Sequence, residues 1–292
     1  MEVNVRKFIC EEIERLNILF QKGANASKKE LPLFTIADYT YLDESQTYYG
    51  EFSVPYFLSF SILKDLGNRI RNPYLAAIWY WKKDSDKNQA TDFLPIQSKL
   101  MYDTLESYTS LLKSGKYLQA LILFRSYIEY SSQLYASLLD YDFFQKYASN
   151  EFLDEEYKQL WFSSLKPIKV LSKIKGMHEE INQLLNDEKM FYTTKSYYMG
   201  LFRPFDSNLR GMLYSSLSSL AHGSYPALVK NDDVKLYALV WLCTTYLVES
   251  HAIIDQISSV YFKYSPKEIF QKWIILEVYM KSREAKTVLV YE

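Results

Sequence analysis

Eight glycines and eight prolines in 292 residues leave this chain few places to turn tightly. That is roughly half the share of an average protein. A chain so poor in breakers folds into long elements joined by short links. It also has little material for the glycine-rich loops that cradle phosphates. The period of the apolar residues then decides the element type. Val5, Phe8, Ile9, Ile13, Leu16, Leu19 and Phe20 recur at helical spacing, and Gly23 closes that run. The same spacing predicts two shorter helices over 60–71 and 74–83, split by Asn72 and Pro73. From about residue 94 it predicts helices over 96–114, 117–140, 154–165, 167–187, 205–222, 233–263 and 266–284.

Residues 31–60 differ. They are rich in β-branched and aromatic residues between polar turn residues, which predicts a small β-hairpin. The tail TVLVYE at 287–292 reads as one edge strand or a frayed end. The expected fold class is therefore mainly all-α, a multi-helix bundle with a small hairpin near 31–60. KKDSDKNQATD at 82–92 is the most polar run and the expected linker. It divides an N-terminal helical region, 1–92, from a helical bundle domain, 93–292. No internal repeat is visible.

Composition removes several classes of function. Lys plus Arg is 34 against 35 Asp plus Glu, so no global basic surplus advertises nucleic acid. Only Cys10 and Cys243 occur, which excludes a disulfide framework and a paired-cysteine zinc motif. Reduced cytoplasm is the expected setting. Charges interrupt the first residues too often for a targeting peptide. The longest apolar stretch, Leu236 to Val248, has 13 residues, short of the about 20 that a bilayer needs. No membrane partner is expected. No P-loop, GxGxxG, HExxH, nucleophile elbow or EF-hand loop occurs, and no cofactor is expected.

The helix over 117–140, YLQALILFRSYIEYSSQLYASLLD, is apolar around nearly its whole circumference and should be central. Arg125 and Glu129 lie inside it at i and i+4, on one face. Arg before Glu is the weaker order for a surface pair, which points to a site or a cross-helix partner. The helix over 205–222 can be capped by Asp206 or Ser207, ends at Gly223, and is followed by Pro226. His222 occupies its last turn, where the helix dipole favours the imidazolium. Ser215, Ser219 and His222 share a face suited to a close helix–helix contact.

Other candidates are blander. His178 falls on an apolar stripe with Leu171, Ile174, Ile181 and Leu185, the place of a packing histidine. His251 follows Cys243 and Leu247, with Asp255 one turn on to hold a ring nitrogen. Asp38, Asp43, Glu44 and Glu51 cluster around the expected hairpin, where paired carboxylates can hold Mg²⁺ but are more often simply solvated. The aromatic residues, 17% of the chain, follow helical stripes, so core packing outweighs base stacking.

An Arg-x-x-x-Glu on a central helix, followed by a later helix ending Leu-Ser-Ser-Leu-Ala-His-Gly at 217–223, resembles the HEPN-like bacterial helical proteins found beside defence and toxin genes. The resemblance spans roughly 96–262. It implies a bundle of about four to six helices, dimerisation, and metal-independent RNA cleavage. The family's catalytic arginine lies four to six residues before the histidine. Here 216–218 are Ser, Leu and Ser, and the nearest upstream arginine is Arg210, so Arg125 would supply the cation. On this reading Arg125, Glu129 and His222 converge, RNA is the partner, and His222 acts as general acid or base. The alternative is a non-catalytic helical module binding a protein or small ligand, with the same three residues as a structural polar network. A third reading, a small-molecule enzyme built on His251 and Asp255, stands behind both. Lys169, Lys173, Lys175, Lys195, Arg203 and Arg210 are the cations available for a basic groove.

Overall fold

The computed structural model describes residues 52–70, 87–139, 142–143, 154–176, 207–223 and 233–259, together with positions between 10 and 22 and between 275 and 279. Among the described residues the regular elements are helices, with no strand. Among the described residues seven α-helices have both ends placed: α1 (Ser53–Ile70), α2 (Lys87–Lys113), α3 (Tyr117–Leu139), α4 (Asp154–Leu160), α5 (Pro167–Gly176), α6 (Ser207–Ala221) and α7 (Asp233–Ser259). The chain divides into two compact units, Met1–Lys64 with Phe262–Glu292, and Asp65–Tyr261.

In the first unit the described part of α1 corrects the hairpin expectation. Residues 53–60 are helical, while 31–51 lie outside the described residues. The sequence signal misled because aromatic and β-branched residues pack equally well around a buried helix. Phe57, Leu58 and Ile62 are at most 1% exposed, and Tyr56, Ser59 and Ser61 are buried with them. A helix buried on all sides has no polar stripe to betray its period. Pro55 does not break it. The Tyr56 N–H makes the first intrahelical bond, to the Phe52 carbonyl at 2.9 Å. Pro55 therefore sits in the first turn, where its missing N–H costs nothing.

In the second unit α3 is central, packing against α2, α5, α6 and α7. The reason lies in its sequence. Ala120, Phe124, Tyr127, Ser131 and Leu134 form one buried row, and Leu121, Ile128, Ser132 and Ala136 widen it. Phe124 is the hub of an aromatic cluster, 4.7 Å from the Tyr108 ring, 5.2 Å from Tyr127 and 6.1 Å edge-on from Tyr246. The core reading of the aromatics holds for these residues. Ser131 Oγ and Tyr246 Oη share a hydrogen bond of 2.8 Å.

The expected break between helices at 115–116 is a Schellman turn. Gly115 adopts φ 69°, its N–H reaches the Leu112 carbonyl at 3.1 Å, and the Lys116 N–H reaches Leu111 at 2.9 Å. So short a link makes α2 and α3 an antiparallel hairpin. Gln97 fastens its open end, donating from Nε2 to the Tyr130 carbonyl at 2.9 Å and to Gln133 Oε1 at 3.4 Å. α2 begins at Lys87, so the helix claims part of the expected 82–92 linker.

The helix expected over 154–165 ends differently. α4 gives way to a π-turn, Trp161–Leu165, closed by the Lys166 N–H on the Trp161 carbonyl at 2.9 Å. Pro167 forces this exit. It pushes the preceding residue out of the helical region, and Lys166 has φ −55° and ψ 133°. Pro167 then opens α5 as its first helical residue.

Candidate functional site

α3 presents Arg125 and Glu129 on successive turns, and their side chains pair, Nη2 to Oε1, at 3.1 Å. The third member comes from α6. Tyr214 Oη donates to Glu129 Oε1 at 2.7 Å. It accepts from Arg125 Nε at 3.3 Å and from Nη2 at 3.2 Å. The guanidinium also lies 5.4 Å from the Tyr214 ring centroid, in cation–π range. One phenol thus joins both charges. The pair is half-buried rather than deep in the core, with side-chain exposures of 29% for Arg125 and 19% for Glu129.

The electrostatics follow from the geometry. Burial pulls the Arg125 pKa down, but its contacts with Tyr214 and Glu129 together outweigh that and raise it. Burial raises the Tyr214 pKa, the Glu129 carboxylate adds to the rise, and Arg125 opposes it. The phenol therefore keeps its proton and uses it on Glu129. The charges of Arg125 and Glu129 cancel locally. Among the described residues Arg125 Nη1 has no hydrogen-bond partner.

His222 does not join this group. It is exposed, one residue beyond the end of α6, and its N–H bonds the Ser218 carbonyl at 3.0 Å. Eight helical residues separate it from Tyr214, a rise of about 12 Å with about 80° of rotation. The position expected for His222 beside Arg125 and Glu129 is taken by Tyr214. Sequence reasoning missed Tyr214 because it flanks the buried stripe Leu213, Leu217 and Leu220. The available signal was a hydroxyl-bearing aromatic at the edge of an apolar stripe, on a helix expected to pack against α3. Gly223 caps α6 as the sequence predicts, with φ 61° and its N–H on the Leu220 carbonyl at 3.1 Å. Ser215 and Ser219 are exposed, not buried in a helix contact within the chain.

His251 is buried, and its Nε2 stands 3.0 Å from Asp65 Oδ2 on α1. The sequence expected Asp255 as partner, whose side chain lies outside the description. Asp65 is 186 positions earlier, beyond reach of any spacing argument. His178, the carboxylates Asp38, Asp43, Glu44 and Glu51, and the cations Lys195 and Arg203 lie outside the described residues. Of the remaining cations, Lys169 and Lys173 are exposed on α5. No group of three or more potential metal ligands occurs among the described residues, and none of their helices is long and apolar enough to cross a membrane. Cys243 is free and fully buried, and burial pushes its thiol pKa up, which makes it a poor nucleophile.

No protein-family model, no curated protein and no solved structure matches the chain.

Proposed function

We propose that the chain is a non-catalytic helical module of HEPN-like type, in which Arg125, Glu129 and Tyr214 form a polar lock between α3 and α6. The observation that carries this reading is the Tyr214 hydroxyl, which accepts from Arg125 and donates to Glu129 at once. A network closed in this way holds two helices in register and leaves little charge for a substrate. The outer face of α6 then serves the partner. Met212 is 67% exposed there, beside exposed Ser215, Ser216 and Ser219. Small residues around one flexible apolar side chain suit a closely approaching helix, from a partner protein or a second copy.

The test is twofold. Purified protein is incubated with labelled single-stranded and structured RNA, with and without EDTA, and its mass in solution is measured alongside Met212→Lys. The expected results are intact RNA and a complex weakened by the lysine. RNA cleavage that disappears in a folded His222→Ala variant would overturn the reading.

That outcome would support the second reading, an RNA-acting, defence-associated effector with His222 as general acid or base. One observation favours it: the His222 side chain is open to solvent just past the end of α6. Arg125 would then need another route to the reacting phosphate, since Tyr214 and Glu129 already hold it.

A further inference from the structure

We draw no further inference here: the strongest candidate, the exposed apolar patch that Phe162 on the π-turn and Ile168 at the start of α5 present beside Lys166, carries no proposal, because nothing in the structure shows what covers it.

Discussion

Replacing Tyr214 with Phe removes one oxygen and nothing else. The ring remains against the guanidinium, and the direct Arg125–Glu129 contact of 3.1 Å remains available. Two interactions are lost: the 2.7 Å donation to Glu129 and the acceptance from Arg125 at 3.2–3.3 Å. Hydrogen bonds to charged groups contribute about 1.5–3 kcal/mol when buried. This group is only half-buried, so solvent can replace part of what is lost, and about 1–1.5 kcal/mol is the expected destabilisation. With a urea m-value of about 2–3 kcal/mol/M, the midpoint should fall by about 0.5 M with the slope unchanged. The sharper assay is a double-mutant cycle with Glu129→Leu, which deletes the acceptor. Residues in contact couple by about 0.5–3 kcal/mol, whereas independent sites add to within about 0.3–0.5 kcal/mol. A coupling energy near 1 kcal/mol is expected. Additive effects, or a Tyr214→Phe variant as stable as wild type, would refute the lock and with it the main support for a non-catalytic role.

Gly115→Ala should destabilise by about 1–2 kcal/mol, purely from its φ of 69°, because the site has open space for a methyl group; thermal melts of the full chain would read this. His251→Ala should cost about 1–3 kcal/mol by removing a buried ring and its 3.0 Å contact with Asp65, again read from the urea midpoint. Burial raises the pKa values of Tyr108, Tyr127 and Tyr214, with Cys243, Tyr246 and Glu129 respectively adding to the rise. A raised folded-state pKa favours the protonated form, so their contribution is complete below the ordinary tyrosine value of about 10 and is lost as pH rises above it. Phenolate absorbance should accordingly show a late class of tyrosines that ionises together with loss of helix. A single normal wave with helix retained would contradict this.

The helical bundle was legible because its signals are local. The α2–α3 link could be read from Gly115 alone, the end of α6 from Gly223, and the restart at α5 from Pro167. Each acts through backbone geometry that a residue imposes on its immediate neighbours. What failed was read from composition without period. Residues 53–60 look strand-like because they are buried all around, and burial on all sides erases the stripe that marks a helix. The site was legible by halves for a related reason. Arg125 and Glu129 share one helix, so spacing alone put them together. Tyr214 and Asp65 enter from other helices, and which turn of one helix faces which turn of another depends on packing of the whole unit. The 85 positions between Glu129 and Tyr214 carry no periodic trace of that choice.

The same geometry sets what the site can do. For Arg125 to stabilise a reacting phosphate, its donors must face the substrate, and Nε and Nη2 instead face a phenol that is itself committed to a carboxylate. An incoming phosphate would be left the Nη1 edge alone, on a guanidinium whose charge Glu129 already offsets. A general acid or base at His222 would need that phosphate at the open end of α6, about two helical turns from Tyr214. In this arrangement the two requirements draw a single phosphate towards points about 12 Å apart along α6. On the proposed reading, the Tyr214 hydroxyl is the group that resists sliding of α6 along α3. The Tyr214 contacts, on that reading, hold α6 against α3 and keep its outer face, with Met212 exposed on it, constant for a partner.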